Sequence, residues 1–277
     1  MTITSSHNQK LKEIRKLRMR RWRARNGRFV AEGEDLLAAA DAAGWSAVER
    51  FCAARSGLAG VEVEASVLAS ASGLGSGTRA LAVYAERWAE RPLGPLCVYL
   101  HGVRDPGNVG TVLRSAQAFG ASSVALGPGS ADPFGAKAVR ASMGSVFAVP
   151  LAQVEVIADL PGEKIALVAG AGVALAELSP SEPTPRAQMA SVRGAGTPTL
   201  VPGPRTLDPG PRMLDPGPRT LDPGPRTLLI GAEREGLPDE VIAQADHIAH
   251  IPIRTHSLNA AMAATVGLYE VTRMALG

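Results

Sequence analysis

The end of the chain constrains the fold most, because an alternating strand there leads into a helix that carries almost no charge. We expect the strand from His247 to Ile253, followed by a short polar loop and a helix that continues through Glu270. A helix that is apolar on most faces must be buried. Ser257 stands where an N-cap belongs and Asn259 falls within the first turn, so capping and packing alone would account for both side chains.

Length and composition indicate a full core and about two domains, since the chain has 277 residues and 45% of them are hydrophobic. No run of about 18 apolar residues occurs, so no membrane span is expected, and the N-terminus lacks an apolar signal core. The only cysteines are Cys52 and Cys97. Two unpaired cysteines fit a reducing cytoplasm and exclude a zinc ribbon.

Three of the five histidines, His247, His250 and His256, lie close together near the C-terminus. Their spacing invites a metal-binding interpretation. Residues three apart in a strand, however, point to opposite faces of the sheet, and no thiol or carboxylate cluster accompanies them. The sequence therefore predicts no metal site.

Positive charge is concentrated at the start of the chain. Residues 1–28 carry ten Lys or Arg against the single acid Glu13, so this segment is +9 while the whole chain is only +3. The segment 6–25 is predicted to be one helix with a thin apolar stripe. A solvated face or a membrane-surface helix is an alternative, but dense charge favours contact with nucleic-acid phosphates. The residues assigned to this contact are Lys10, Lys12, Arg15, Arg18, Arg20 and Arg21.

Two structural units follow from the pattern of elements. Residues 1–88 are expected to form a small α/β domain, and residues 89–95 a linker rich in proline and glycine. From 96 to 277 strands and helices alternate more strongly, which indicates a parallel sheet covered on both faces. The strands of this second domain are expected at 96–100, 123–126, 146–149 and 165–169, and its helices at 109–119 and 134–142.

A low-complexity insertion interrupts the second domain at about 179–226. Within it the sequence Pro-Gly-Pro-Arg recurs with a period of seven. Proline twice in seven residues forbids a helix, and the period is too short for a solenoid unit. We interpret the segment as an exposed, extended or disordered insertion. Its arginines could contact RNA, but a neutral expansion of the repeat is the favoured explanation.

The helix predicted at 109–119 contains an unusual charge. Arg114 is the only charged residue between Asp105 and Asp132, on a helix otherwise expected to be buried. An arginine in that setting needs an anion, and its planar fork suits a phosphate or a carboxylate; a structural ion pair is the alternative. Asn108, just before the helix, suits an N-cap.

A glycine loop with two acids follows a later strand, in the sequence Leu-Ile-Gly231-Ala-Glu233-Arg-Glu-Gly236. The loop is placed at the carboxyl edge of a parallel strand, which is where open α/β sheets bind their ligands. Pro238 is expected at the first position of the next helix. Because Gly-Lys-Ser/Thr is absent, the loop is not a P-loop.

Taken in order, three stretches resemble the motifs of the SpoU (TrmH) family of RNA ribose 2′-O-methyltransferases. They are Asn108-x-Gly-Thr-x-x-Arg114-x-Ala-x-Ala-Phe-Gly120, then Gly231-Ala-Glu233-x-x-Gly236, and Ile251-Pro-Ile followed by Ser257-Leu258-Asn259. The stretch 137–144, which includes Arg140, is similar to a further family segment. The N-terminal unit resembles the family's ribosomal-protein-like RNA-binding domain, so the resemblance covers nearly the whole chain apart from the insertion.

This resemblance implies a fold, a cofactor and a reaction. The second domain would have a deep trefoil knot, an exception to the usual rule against knots, and the protein would be a homodimer whose active site is completed across the interface. S-adenosylmethionine would be held mainly by backbone at Gly231, Ile251 and Leu258. The substrate would be large-subunit rRNA; a transfer RNA, or an RNA-binding relative without methyl transfer, are the alternatives.

The resemblance also implies roles for single residues. Arg114 would face the target ribose and phosphate, and Arg140 would contact RNA. The residues that would line the catalytic site with Arg114 are Asn108, Glu233, Ser257 and Asn259. The family proposal makes the arginine the base, but a guanidinium is effectively always protonated. We expect Arg114 instead to hold the phosphate and to stabilise the developing alkoxide, with positioning contributing the rest.

The sequence departs from the family pattern at three places. The loop between Ile253 and Ser257 is shorter than in most relatives and lacks their usual glycine. Ala261 stands where relatives often have serine, and Ala232 replaces a frequent asparagine. None of these changes removes a residue to which a chemical role is assigned.

Overall fold

The computed structural model describes residues 2–73, 77–178 and 224–276. Most of the predicted insertion, residues 179–223, lies outside this part of the chain. Arg226, at the predicted end of the insertion, is buried and already begins a strand of the core. No helix in the described ranges is both long enough and apolar enough to cross a membrane.

The N-terminal unit is a four-stranded mixed sheet with helices packed on it. In the order of the sheet, β1 and β4 pair antiparallel, β4 and β2 pair antiparallel, and β2 and β3 pair parallel. The elements are α1 Gln9–Lys16, α2 Arg20–Asn26, β1 Arg28–Glu32, α3 Glu34–Ala42, β2 Glu49–Ala53, β3 Val61–Val63, α4 Ala65–Ala71 and β4 Ala80–Ala85.

The prediction of a single basic helix at 6–25 is wrong, because the helix is interrupted between α1 and α2. Arg23, on α2, is buried and its Nη1 donates to the carbonyl oxygens of Leu17 and Arg18 at 2.8 Å each. These carbonyls lie at the end of α1 and would accept the next helical bonds in a continuous helix. The side chain of Arg23 therefore stabilises the break.

The second unit is built on a seven-stranded parallel sheet, which confirms the predicted α/β class and its parallel sheet. The strand order is β7-β6-β5-β10-β8-β11-β9. Its strands are β5 Leu96–Leu100, β6 Ser123–Leu126, β7 Leu151–Gln153, β8 Glu163–Leu167, β9 Val173–Ala174, β10 Arg226–Ile230 and β11 His247–His250. Its helices are α5 Pro106–Ala118, α6 Ala136–Ala141, α7 Ser145–Ala148, α8 Asp239–Ile242 and α9 Ala260–Leu276. The trefoil knot stays a prediction, because the path between β9 and β10 runs through residues 179–223.

Three element assignments in this unit are wrong. Residues 146–149 were expected to be a strand, but they fall in the helical turn α7 and the strand begins at Leu151. A short apolar run does not distinguish a strand from a buried helix by its periodicity. Pro238 caps α8 rather than occupying its first position, and β11 ends at His250 rather than at Ile253.

The last helix, α9, is buried or half-buried over most of its surface, and one narrow strip of it is exposed. Ala264 and Leu268 are fully buried against the sheet, as the low charge of the helix predicts. Met262 and Tyr269 are 61% and 51% exposed, however. The expectation that α9 is buried on most faces is therefore confirmed for residues 260–274, and one narrow strip with Met262, Tyr269 and Arg273 remains on its outside.

The two units are joined by buried contacts. Phe29 of β1 packs on Phe134 and Phe147 of the second unit, with ring centroids 4.8 and 5.8 Å apart. Trp45 donates from Nε1 to the carbonyl of Phe147 at 2.8 Å. The predicted linker at 89–95 also lies on the second unit, since the backbone N–H of Leu93 donates to Ser123 Oγ. The domain boundaries remain our proposal.

Candidate active site

A cavity of about 430 Å³ lies at the carboxyl ends of β8, β10 and β11. Three loops form its walls: the turn after β8, the glycine loop after β10, and the loop that joins β11 to α9. The predicted cofactor contacts, Gly231, Ile251 and Leu258, all line this cavity, and so do Glu233 and Ser257. The geometry therefore brings together the second and third motifs of the sequence.

The glycine loop can close tightly only because Gly231 has no side chain. A Cβ at this position would stand 2.2 Å from the carbonyl carbon of Gly236 and 2.4 Å from the N of Leu237. Ala232 and Gly236 exchange two backbone hydrogen bonds of 3.1 and 3.0 Å across the turn. Gly236 has a φ of +69°, which L side chains rarely adopt. Both glycines thus shape the wall of the cavity.

Three side chains from the three motifs form one hydrogen-bonded row beside the cavity. Asn259 Oδ1 accepts from the backbone N–H of Ala261 at 2.9 Å, so its Nδ2 points away and donates to Asn108 Oδ1 at 3.1 Å. Asn108 Nδ2 in turn donates to Glu233 Oε1. The cap of α9 therefore sets the orientation of both amides, and through them that of the Glu233 carboxylate.

The predicted caps are corrected by this arrangement. Asp105, not Asn108, caps α5: its Oδ1 accepts from the N–H of Gly107 at 2.8 Å, and Asn108 lies within the first turn. Asn259, not Ser257, precedes α9 and receives its first N–H groups. Ser257 is exposed at the cavity instead. Asn108 is therefore free to bind across the site rather than to its own helix.

Arg114 is the site residue that the structure does not bring to the cavity. It is exposed on the outer face of α5, which it shares with Thr111 and Ala118. Along the helix it lies about 9 Å beyond Asn108. Among the described residues no hydrogen bond or ion pair to Arg114 is found, so the structural ion pair is not supported. Its guanidinium is available to a ligand or to another chain.

Two further pairs at the same edge of the sheet were missed by the sequence analysis. The hydroxyl of Tyr99 lies 2.9 Å from Nδ1 of His101, directly after β5. Burial raises the pKa of Tyr99 to about 12 and lowers the pKa of His101. Arg104 forms an exposed ion pair with Glu235 at 3.2 Å, which joins the loop before α5 to the glycine loop. A histidine directly after a core strand is the signal that could have drawn attention to the first pair.

The N-terminal basic residues that are assigned to RNA are exposed or half-buried, but several of them are engaged within the chain. Lys10 pairs with Glu49, and Arg15 donates to the carbonyl of Ser6. Arg18 donates to the carbonyl of Ala71 at 2.6 Å. Arg140, from α6 of the second unit, donates to the neighbouring carbonyl of Gly73 at 3.5 Å. The side chains of Lys12, Arg20 and Arg21 are exposed.

No metal centre is found in the ranges that the structure describes, where His, Cys, Asp and Glu form no group able to hold an ion. His247 is buried and its Nε2 lies 3.6 Å from Glu163 Oε2. His256 lies instead at the cavity. The three histidines thus do not converge on a common point.

Each of the two units matches the model of a known protein family. Residues 95–269 match the model of the SpoU rRNA Methylase family, and residues 8–82 match an MRM3-like substrate binding domain. A 23S rRNA (uridine(2479)-2′-O)-methyltransferase from Streptomyces viridochromogenes is 33% identical over 61% of this chain and 49% of its own length. A 23S rRNA (guanosine(2553)-2′-O)-methyltransferase from Bacillus subtilis is 23% identical over 97% of this chain and 98% of its own.

Solved structures agree with these matches. An AdoMet-bound rRNA methyltransferase from Sinorhizobium meliloti superposes with a TM-score of 0.76 at 28% identity, over 100% of this chain and 99% of that one. The resemblance of the three motifs is thereby confirmed, together with the expected class of enzyme, an RNA methyltransferase. Since the family model spans more than half of its residues, the chain belongs to the SpoU rRNA methylase family.

Proposed function

We propose that this protein transfers the methyl group of S-adenosylmethionine to a ribose 2′-hydroxyl of large-subunit rRNA. The observation that carries the proposal is the row of Asn259, Asn108 and Glu233 beside a cavity at the carboxyl ends of the sheet. It places one polar side chain from each of three separate motifs at one point. The relatives that are named for 23S rRNA support the choice of RNA.

The cavity fits the cofactor in size and in charge. Its volume lies within the range of about 300–1,000 Å³ that is typical of small-molecule sites. Ile251 and Leu258 provide apolar walls for a nucleoside, and exposed backbone at Gly231 provides hydrogen-bonding groups. Glu233 and Asp239 also line the cavity, and their carboxylates suit a positively charged ligand.

When bound, S-adenosylmethionine supplies an electrophilic methyl group to the attacking ribose oxygen. The residues of this chain have to hold that oxygen in line and to stabilise the charge that it gains as its proton leaves. We assign the first task to Asn108, Glu233, Ser257 and Asn259, three of which are already held by one another. We assign the second to Arg114, whose guanidinium donates to the RNA phosphate and to the developing alkoxide.

In a homodimer, Arg114 could act at the cavity of the partner, although it lies outside the cavity of its own chain. The exposed apolar residues of α9, Met262 and Tyr269, lie on the outside of the fold, and α9 packs directly on α5, as the bond of 2.6 Å between Ser115 and Thr265 shows. An isologous contact places the same face of two copies against each other. We propose that Arg114 serves the cavity of the partner, in a cytoplasmic dimer.

The surface for RNA would run from the N-terminal unit to α5. Arg18 and Arg140 come from different units but lie on the neighbouring carbonyls of residues 71 and 73. Lys10, Lys12, Arg15, Arg20 and Arg21 extend this basic surface along α1 and α2. Phosphates bound there would release counterions, so the affinity would fall steeply with salt.

Cofactor binding and methyl transfer together test the proposed function. Calorimetric titration with S-adenosylmethionine is followed by incubation of the labelled cofactor with protein-free large-subunit rRNA and, separately, with total tRNA. Nuclease digestion then locates the label on a ribose. Label in tRNA only would identify tRNA, and not rRNA, as the substrate. Cofactor binding without label in either RNA would identify a non-catalytic RNA-binding relative.

The glycine loop offers a prediction about the cofactor. Gly231→Val is expected to abolish calorimetrically measurable binding of S-adenosylmethionine, because its side chain would have to occupy the space of the Gly236 backbone. Ala69→Val is the matched control, because it adds a valine on the exposed face of α4, away from the residues that line the cavity. Normal cofactor affinity in Gly231→Val would show that the loop does not bind the cofactor.

The outer face of α9 offers a prediction about assembly. Met262→Glu is expected to convert the dimer into monomers in sedimentation velocity experiments, because a charge would be buried at the centre of an apolar contact. Val156→Glu changes an equally exposed apolar residue elsewhere, at 53% exposure, and should leave the dimer intact. A wild-type monomer, or a dimeric Met262→Glu, would contradict the proposed interface.

A further inference from the structure

Trp22 is an aromatic side chain that the hydrophobic core does not use. Within the described residues of the N-terminal sheet unit, Phe29, Trp45, Phe51 and Tyr84 are all buried. Trp22, on α2, is only partly buried and packs against neither core cluster of this unit. A large aromatic surface outside the core loses hydrophobic stabilisation, so its position calls for another explanation.

Two cations lie close to the indole ring. Lys16 Nζ lies 4.8 Å from the ring centroid, and the guanidinium carbon of Arg25 lies 5.8 Å from it. Both distances are within the range of a cation–π contact. The ring and its two cations thus form a combination that single-stranded nucleic acid can use, with an aromatic face for a base and positive charge for the adjoining phosphates.

The space beside the ring is suited to a small flat group. A cavity of about 160 Å³ adjoins Trp22. Its lining includes the polar residues Lys16, Asn26 and Arg28 and the apolar residues Ile14, Leu17, Val48 and Val83. Asn26 Nδ2 is bound to the carbonyl of Trp22 at 2.6 Å, which turns its Oδ1 outward as an acceptor. Glu13 and Glu49 line the other side, and Lys10 pairs with Glu49. Acceptors at its rim would meet the amino groups of a base.

We propose that Trp22 is a stacking platform for an unpaired base of the RNA substrate, with Lys16 and Arg25 holding the phosphates on either side. The base displaces one of these flexible side chains from the ring, and the displaced cation then meets a phosphate. This inference rests on the proposed function, because it supplies a contact between the enzyme and RNA far from the cavity. It adds recognition of a single-stranded feature to the basic surface.

Filter binding of protein-free large-subunit rRNA, without cofactor, tests the platform. Trp22→Ala is expected to weaken binding by about tenfold or more, within the range of about 5- to 150-fold for removal of a stacking side chain. Trp22→Phe should retain most of the affinity, since any aromatic face stacks. The salt dependence should stay unchanged in Trp22→Ala, whereas Lys16→Ala should lower its slope by about one. RNA should quench the fluorescence of wild type more than that of Trp22→Phe.

Met19→Ala is the matched control, because Met19 precedes the same helix and is 41% exposed but has no aromatic face. The proposal would be overturned if wild type and Trp22→Ala bound RNA with equal affinity, or if Trp22→Ala and Met19→Ala lost the same affinity. It would also be overturned if wild type did not bind RNA. A Trp22-dependent affinity in a protein that transfers no methyl group would support the platform and contradict the proposed reaction. If Trp22→Ala changed neither methyl transfer nor RNA affinity, the proposed reaction would be supported and the platform contradicted.

Discussion

Arg114→Ala is expected to lower methyl transfer to rRNA by about 10²–10³-fold while leaving the affinity for S-adenosylmethionine unchanged. The side chain is exposed on α5, outside the cavity, and has no partner among the residues that the structure describes. Its removal therefore opens no cavity and breaks no contact, so stability should not change. The loss of the contact with the alkoxide should appear in kcat, because that contact exists only in the transition state, and the loss of the contact with the RNA phosphate should raise KM for RNA.

Two variants separate the role of the guanidinium from that of charge. Arg114→Lys keeps the positive charge but not the planar fork, and it should recover only part of the activity. Arg104→Ala removes another exposed guanidinium from the start of the same loop and helix region, where it pairs with Glu235. Arg104→Ala should lower methyl transfer only slightly. Equal losses for Arg104 and Arg114 would mean that only the general positive charge matters.

Mixed dimers decide where Arg114 acts. A protomer with Arg114→Ala keeps its cavity, and a protomer with Gly231→Val keeps its arginine. If the arginine serves the partner's cavity, random exchange of inactive parents should restore about a quarter of the wild-type activity, since about half of the dimers would have one intact site of two. No recovery after subunit exchange would place Arg114 at the cavity of its own chain.

The position of the cavity could be predicted because strand and loop alternate clearly in the second unit. Gly231 and Ile251 each follow a core strand, and parallel strands place such loops at one edge of the sheet. The caps could not be predicted in the same way. Asp105 and Asn108 are both suitable residues near the start of α5, and only the bond from Asn108 to Glu233 shows which of them is used elsewhere.

Burial was harder to predict than position. The outer face of α5 carries Thr111 and Ala118 beside Arg114, and α9 exposes Met262. Small or apolar residues on such a face give the same sequence pattern whether a core or a second chain covers them. The sequence therefore predicted two buried helices, while one chain alone leaves a strip of each helix exposed.

Arg23 shows the opposite error, because a residue in the most basic segment proved to be buried. Its Nε and Nη2 donate to Asp132 Oδ2 at 2.9 and 2.6 Å, and its Nη1 binds the end of α1. Asp132 lies 109 positions further along the chain. Composition assigns a run of basic residues to solvent or phosphate, and only the tertiary fold reveals a partner at that distance.

The pair of Arg23 and Asp132 should therefore stabilise the protein far more than its surface ion pairs do. Asp132→Asn is expected to lower the free energy of unfolding by about 3–5 kcal/mol, because the buried guanidinium loses its counter-charge. The side chains of Arg23 and Asp132 are only 6% and 16% exposed. Asparagine retains the volume of the residue and the acceptor for the N–H of Phe134. Its Nδ2 then replaces the oxygen that accepts from Arg23, so the change removes both the charge and the two hydrogen bonds to the guanidinium.

Denaturant unfolding of wild type, Asp132→Asn and Asp41→Asn measures this difference. Asp41 forms a comparable pair with Arg50 on the outside of the N-terminal unit, where its side chain is 51% exposed. The Arg50 guanidinium lowers the pKa of Asp41, but solvent screening should keep the effect of Asp41→Asn below about 1 kcal/mol. Because the first pair joins the two units and the second does not, Asp132→Asn should also let the N-terminal unit unfold earlier. Equal midpoints for the two variants would mean that the aromatic contacts alone hold the units together.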